Sequence, residues 1–429
     1  MLNLSFNFLK NIKSFIFPFY RNKDLKFIFK KLQEGIPGDK VAARFVGGCV
    51  RKYLTNEKID DIDIATILTP DEIKEKFNGT EIKIIDTGIE HGSVTLLYEN
   101  YKFEITTLRK DVQTDGRHAQ ISFTDDWQLD SERRDFTINA IYLDRKGKIF
   151  DPQLGLKDLK NGIIKFIGDP GKRIEEDFLR IIRFIRFTIE YKHKIFEPST
   201  IKAIKLNLNG IKNLSKERIF SELTKILKLK NFHEILENKN LLEIFKLIFP
   251  ELKQINNISK LNLIKSNQSL KFNTDLILSS ILDFETKDYE YFCHKYRVSN
   301  ATKDKMTFLA NILVKYKFEK SFFAKNLNKK IYFYGKDNLK DFILFLFLKN
   351  KNFKTSDLFE VTKKIEKFTT PNFPYDGKYL KGKGIKQGKI IGKTLKQLEN
   401  AWIENNFSLS DQRANEIINK ANKLNILNV

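Results

Sequence analysis

The chain has 429 residues, 41% hydrophobic and 31% charged, with a formal net charge of +23 and a pI near 9.6. That length exceeds one compact core and implies two to four domains. Only two cysteines, Cys49 and Cys293, exclude a disulfide framework and a cysteine-built zinc site and fit a reducing compartment. No run approaches the roughly 18–20 apolar residues of a membrane span. The apolar, lysine-broken N-terminus has no small-residue cleavage site, so a cytoplasmic protein is expected. The basic surplus is uneven: residues 1–150 hold 24 Lys+Arg against 23 Asp+Glu, whereas residues 151–429 hold 53 against 31. A polyanionic partner would be gripped by the second part.

Residues 24–34 carry a helical pattern. From Arg44 to Asp151 the pattern is mixed, with strand-like runs at Arg44–Val46, Ile62–Ala65, Ile82–Ile85, Ser93–Tyr98, Lys102–Thr107 and Ile141–Leu143. Thr69-Pro70-Asp71-Glu72 is a helix start, with Thr at the N-cap, Pro at the first helical position and Glu three residues after the cap. A compact α+β domain is expected there. Beyond about Ile174 the periodicity is helical: Phe178, Ile181, Ile182, Ile185 and Ile189 follow the 3,4 spacing of an amphipathic helix. Leu214–Leu227 and Leu241–Leu252 behave alike, with Pro250 ending an element. Phe342–Leu348 reads as a buried core helix. The Gly/Lys-rich segment Asp376–Gly392 interrupts the helices.

The most informative pattern is Asp60-Asp61-Ile62-Asp63-Ile64, shortly after Val46-Gly47-Gly48-Cys49-Val50-Arg51. On a strand, Asp61 and Asp63 share a face while Ile62 and Ile64 enter the core. Adjacent carboxylates repel unless a divalent cation lies between them, and two cations about 3.5–4 Å apart are common machinery for phosphoryl transfer. The Gly-Gly turn lets backbone N–H groups approach phosphate, and Arg51 adds charge. Cys49 reads as a small buried residue. Glu104 is either a third carboxylate on a neighbouring strand or an edge-strand solubilising charge. Asp135 and Asn139, four apart in Arg133-Arg134-Asp135-Phe136-Thr137-Ile138-Asn139, would share a helical face, suited to a ribose hydroxyl and a phosphate or to a cap with a surface ion pair. Asp177 and Arg180 stand at i,i+3, either a salt bridge or a pair able to read a base edge.

These segments occur in one order. FVGGCVR, DIDIAT, TGIEHGSVT, FEITTLR, RRDFTINAIYLD, DPQLGLKDLKNGIIKFIGDP, EEDFLRIIRFIRF and KERIFSEL run from about Phe45 to Leu223. The chain thereby resembles the class II tRNA nucleotidyltransferases (CCA-adding enzymes) and their sister bacterial poly(A) polymerases. The resemblance implies a polymerase-beta-like nucleotidyltransferase head followed by an all-α neck, body and tail. The expected division is an N-terminal helical extension (1–35), head (36–160), neck (161–228), body (229–350) and tail (351–429). It implies Asp61 and Asp63 as holders of two Mg²⁺ ions and Glu104 as the third catalytic carboxylate. Gly47, Gly48 and Arg51 would bind the triphosphate, and Arg134, Asp135 and Asn139 ribose and phosphate. Asp177 and Arg180 would pair with the base of CTP or ATP, with Arg183 among the nucleotide-binding residues. tRNA is the implied partner, held along the basic helical part. Lys52 departs from the Asp that the family places after Arg51, and reduced efficiency at most is expected. A segment at Arg109–Phe123, where the family has a flexible loop, argues against a CC-only enzyme. Poly(A) synthesis, A-addition alone and a catalytically dead RNA-binding protein are the rival readings. None of the five histidines is followed by Asp, so no His-Asp phosphohydrolase activity is expected.

Overall fold

The computed structural model describes residues 19–99, 101–115, 118–193, 196–264, 273–286, 288–316, 320–385 and 388–427. Residues 1–18, half of the expected N-terminal extension, lie outside them. The chain forms two compact units, Met1–Pro250 and Glu251–Val429. Their division falls within the span 229–350.

In the first unit, α1 (Lys23–Gln33) is capped by Asn22, whose side chain accepts from Asp24 N, and it buries Leu25, Ile28, Phe29 and Leu32 at 3,4 spacing. It covers a mixed sheet of order β3-β4-β5-β2-β1-β8-β9. The strands are β1 (Ala43–Val46), β2 (Ile62–Thr66), β3 (Lys83–Gly88), β4 (Ser93–Tyr98), β5 (Tyr101–Thr107), β8 (Tyr142–Leu143) and β9 (Ile149–Phe150). All neighbours are antiparallel except β2 and β5. Between β1 and β2 lies α2 (Gly48–Leu54). Helix α3 (Pro70–Phe77) follows β2 and carries the capping box expected at Thr69 and Glu72.

The strand and helix positions read from the sequence are found, with three differences. The segment expected as a flexible loop forms a separate antiparallel ribbon, β6 (Arg109–Asp115) with β7 (His118–Phe123). In the sequence only Gly116-Arg117 stand between two strand-length runs, a two-residue spacing with glycine first that is a hairpin signal a loop assignment overlooks. Second, Asp135–Asn139 is not α-helical. After α4 (Trp127–Glu132), Phe136 is extended (φ −125°, ψ 147°) and only Thr137–Asn139 makes a 3₁₀ turn. Phe136 pairs with Phe166 as a β-bridge, and the Asp135 carboxylate accepts from the Phe136 N–H at 2.9 Å. Local side-chain bonding of this kind competes with the helical ladder. Third, Asp177 does not share a helix with Arg180. α5 (Gly155–Lys160) and α6 (Pro170–Glu176) precede it, and Asp177 is extended (φ −157°, ψ 102°) between α6 and α7 (Leu179–Glu190). Its carboxylate instead accepts from the Leu179 N–H at 3.2 Å, capping the start of α7.

Helix α7 is the spine of this region. Ile181, Ile182, Phe184, Ile185, Phe187 and Ile189 are each at most 3% exposed. It packs with α9 (Lys216–Leu227), which begins at the Ser215 cap. α8 (Pro198–Asn207) and α10 (Lys239–Ile248) complete the unit.

Among the described residues, every secondary-structure element of the second unit is a helix. The run Phe342–Leu348 is buried within Lys336–Lys349, as expected. The Lys260 ammonium donates to the carbonyls of Phe347, Asn350 and Phe353 at 2.9, 2.6 and 3.1 Å, tying the end of that helix to the turn after it. The glycine-rich segment is less of an interruption than its composition suggests. Gly377–Gly382 is itself a short helix, and Leu380 and Ile385 join Leu398, Ala414, Ile418 and Ala421 in a small core. Among the described residues no helix is long and apolar enough to cross a membrane.

Candidate active site

Strand β2 presents its acids as its alternation dictates. Ile62 and Ile64 are 6% and 1% exposed, while Asp63 is half-buried and Asp61, just before the strand, is exposed. The parallel register sets Asp63 opposite Glu104 on β5, so both carboxylates leave the same face. The glycine turn lies against them. Gly47 has φ +71°, and a Cβ there would stand 3.4 Å from Asp63 Oδ2. Any side chain would be strained in its backbone, with its Cβ already in van der Waals contact with the carboxylate. The Gly48 N–H donates to Asp63.

Burial, then the nearby Glu104 and Asp61 charges, raise the Asp63 carboxyl above its usual range, against the pull of Arg134 and the Gly48 N–H. Three acids in mutual repulsion with hard oxygen donors suit a small divalent cation. Glu104, however, does not complete a cage: among the described residues no three His, Cys, Asp or Glu side chains are arranged to hold a metal ion. The cation-binding fit therefore rests on Asp61 and Asp63. Cys49 is buried beside them, its thiol pushed up to about 12 by burial and by Asp63, so it is no nucleophile at neutral pH.

Behind the acids stands an arginine-rich seam. Arg134 donates to Asp130 Oδ2 at 2.8 Å and to Tyr142 Oη at 3.0 Å, and Arg133 donates to Asp130 Oδ1. Burial raises the Asp130 carboxyl, but the Arg134 and Arg133 charges and the Tyr142 hydroxyl overbalance it and hold it far below the usual range. Asp135 and Asn139, although not on an α-helix, are joined: Asn139 Nδ2 donates to Asp135 Oδ1 at 2.7 Å. Arg183 donates to Asp135 Oδ2 at 2.7 Å from Nε. Burial pushes the Asp135 carboxyl up, but Arg183 and Asn139 bring it down to about 2. Arg51 is 7% exposed and bonds to Tyr191 and Asn139 rather than projecting into solvent. Lys52 turns the other way, to Asp60 at 3.3 Å.

Asp177 and Arg180 each have another partner. Arg180 Nη1 donates to Glu176 Oε2 at 2.5 Å and to the Arg173 carbonyl at 2.6 Å. Asp177 Oδ2 accepts from Arg218 at 2.8 Å. The i,i+3 salt bridge is thus not what holds them. The sequence reading did not single out Asp130, Glu176, Tyr191 or Arg218. Asp130 carried a signal, its i,i+3 and i,i+4 spacing to Arg133 and Arg134, as did Glu176 at i−4 from Arg180. Arg218 and Tyr191 lie 41 and 140 residues from their partners, beyond any local pattern.

The family described as Poly A polymerase head domain matches residues 43–165, and the one described as the probable RNA- and SrmB-binding site of polymerase A matches residues 195–256. The human mitochondrial CCA tRNA nucleotidyltransferase 1 is 33% identical over 407 residues, covering 91% of this chain and 89% of its own length. The chain belongs to the CCA tRNA nucleotidyltransferase family. The zebrafish mitochondrial member is 31% identical over 86% of the chain and 84% of its own length, and the Lactobacillus helveticus CCA-adding enzyme is 45% identical over 186 residues. The fold agrees with solved members of the family. The Bacillus stearothermophilus CCA-adding enzyme in complex with CTP superposes with TM-score 0.67 at 22% identity, covering 94% of this chain and 98% of that one. The Thermotoga maritima CCA-adding enzyme complexed with tRNA superposes with TM-score 0.60 at 21% identity.

Proposed function

We propose that this protein adds CCA to the 3′ ends of tRNA from CTP and ATP, releasing pyrophosphate. The observation that carries the reading is the Asp61–Asp63 strand, set against the Gly47–Gly48 turn in a chain that aligns with a CCA tRNA nucleotidyltransferase over 89% of the relative's length.

Asp61 and Asp63 are the residues that would hold Mg²⁺. When bound, that ion supplies charge neutralisation at the triphosphate and a lowered pKa for the attacking hydroxyl. The chain's own residues do the rest. The Gly47–Gly48 turn admits phosphate oxygens to backbone N–H groups, and Arg134 adds a fixed positive charge felt at Asp63. Asp135 and Asn139, held by Arg183 and Arg51, orient ribose and phosphate. Glu176 and the Arg173 carbonyl fix the plane of the Arg180 guanidinium. Its Nε–Nη2 edge donates to a base, while Asp177, steadied by Arg218, accepts from an exocyclic amine. A base offering the wrong pattern would leave these groups unpaired, which discriminates more strongly than a missing methyl group would. tRNA binds the basic helical part through its phosphates and shape, with affinity falling steeply as salt rises.

The test supplies CTP or ATP separately, with Mg²⁺, to tRNAs ending before CCA, after C and after CC. Ordered addition of two C and one A is expected. Long A tails on unrelated RNA would show poly(A) synthesis instead, incorporation only onto CC ends an A-adding specialist, and RNA binding without incorporation a dead head.

A further inference from the structure

Five side chains of the first unit form one hydrogen-bonded chain, running Tyr191–Arg51–Asn139–Asp135–Arg183. Arg51 comes from α2, Asp135 and Asn139 from the 3₁₀ turn and its approach, Arg183 from the middle of α7, and Tyr191 from the residue that ends α7. Arg51 Nε donates to Tyr191 Oη at 3.0 Å, and its Nη1 donates to Asn139 Oδ1. Asn139 Nδ2 donates to Asp135 Oδ1 at 2.7 Å. The other oxygen of Asp135 accepts from Arg183, whose Nη2 approaches to 2.6 Å. With a guanidinium on one side and a carboxylate on the other, only one orientation of the Asn139 amide satisfies both.

This hydrogen-bonded chain wraps Phe187, whose ring lies under both the Arg51 and the Arg183 guanidinium. The Arg51 guanidinium carbon lies 4.7 Å from that ring's centroid, and the rings of Phe187 and Tyr191 stack at 6.3 Å and 27°. A planar guanidinium is fixed in plane only when bonds reach two of its N–H groups in different directions. For Arg51 those two are Asn139 and Tyr191. Without the tyrosine hydroxyl, the fork pivots about its contact with Asn139. The amide then loses its fixed partner, and Asp135 loses a steady neighbour. Lys52 cannot substitute, because it is turned to Asp60.

We propose that Tyr191 is a positioning residue for nucleotide binding: its hydroxyl sets the plane of Arg51 and, through it, the Asn139 amide and Asp135 carboxylate that receive the incoming nucleotide. This rests on the reading under Proposed function. The hydrogen-bond partner of the Tyr191 hydroxyl is Arg51, whereas Asp177 and Arg180 are held by Arg218 and Glu176, so Tyr191 acts on both nucleotides alike and leaves base choice alone.

Tyr191→Phe in the full chain keeps the stacked ring and removes only the oxygen. With tRNA ending before CCA for CTP and after CC for ATP, the KM for each nucleotide rises by the same factor. That factor is about tenfold, the scale of one buried bond to a charged group. kcat stays within about twofold, the CTP/ATP preference is unchanged, and the melting temperature stays within about 3 °C. Arg51→Lys raises KM by itself, and adding Tyr191→Phe to it raises KM little further, because both break one coupled unit. An unmoved KM, a loss confined to kcat, a KM rise for only one nucleotide, or full additivity in the double variant each overturns the proposal. Wild-type protein that incorporates neither nucleotide would sink the reading it rests on. Wild-type turnover with any of those four outcomes sinks this inference alone.

Discussion

The acids of strand β2 and the acids of the arginine seam behave in opposite ways. Asp63 is raised by burial and by Glu104 and Asp61, with too few cations to balance them. Asp130 and Asp135 are as deeply placed or deeper, yet each is held well below the usual range, Asp130 by Arg134 and Arg133, Asp135 by Arg183 and Asn139. One region keeps its negative charge uncompensated at some cost to the folded state. The other compensates it fully and becomes scaffold. In a site that must take up cations, the repulsion marks the functional acids, and the neutralised acids mark what holds them in place.

The strongest way to break this contrast is Asp63→Asn. Loss of a carboxylate that holds the catalytic cation should lower incorporation by at least about 10³-fold. Because the substitution also relieves like-charge repulsion, the melting temperature should hold or rise slightly. Calorimetry alongside the incorporation assay checks both. Retained turnover, or a fall of many degrees, would mean that Asp63 belongs to the scaffold class. Asp130→Ala should do the reverse. It strands Arg133 and Arg134 and leaves the Tyr142 hydroxyl without its acceptor, a loss of about 3–5 kcal/mol. Urea unfolding of the first unit's transition measures it, and a loss below about 1 kcal/mol would refute the compensated picture.

The same contrast explains what the sequence made legible. The β2 site is built from i,i+2 alternation and a glycine turn nearby, both local, so Asp61, Asp63, Gly47 and Gly48 could be placed before any fold was known. Glu104 was legible as a possible neighbour of these acids but not decided from an edge-strand charge, because its parallel register with Asp63 spans 41 residues. The seam was legible in part, and its roles only by resemblance. Helical spacing brought Asp135 and Asn139 together for the wrong reason: they meet across a 3₁₀ turn, with Phe136 extended. Asp177 and Arg180 were aligned on one helix that in fact breaks between α6 and α7. Contacts that cross the unit, such as the Arg218–Asp177 ion pair and the Arg51–Tyr191 hydrogen bond, leave no periodic trace. The ribbon β6–β7 was missed because a familiar loop assignment outweighed its own turn signal.

Acidification sharpens the comparison at a smaller scale. The Asp135 carboxyl is depressed from 3.8 to about 2. A depressed carboxylate contributes stability that is fully present above its unfolded value, near 4, and is lost as pH falls through about 2. The contribution is about 2 kcal/mol. Asp135→Asn should therefore flatten the acid limb of stability between about pH 4 and pH 2, leaving the profile above pH 5 parallel to wild type. Unfolding free energies measured across that range check it. An acid limb as steep as wild type would move the acid sensitivity to other carboxylates.

The smallest effect expected is at Lys52, and it is informative for being small. Lys52 follows Arg51 directly in the chain, so sequence position alone suggests that it disturbs the arginine. The structure separates the two neighbours. Arg51 turns inward to Asn139 and Tyr191, and Lys52 turns outward to Asp60, in a pair whose side chains are 29% and 52% exposed. Exposed pairs of this kind contribute little and are screened by salt. Lys52→Ala should leave the melting temperature within about 2 °C and kcat/KM within about threefold, with any difference shrinking as salt is raised. A tenfold loss that persists at high salt would show that residue 52 acts on Arg51 after all. The orientation of that arginine would then belong to its own turn rather than to the far end of α7.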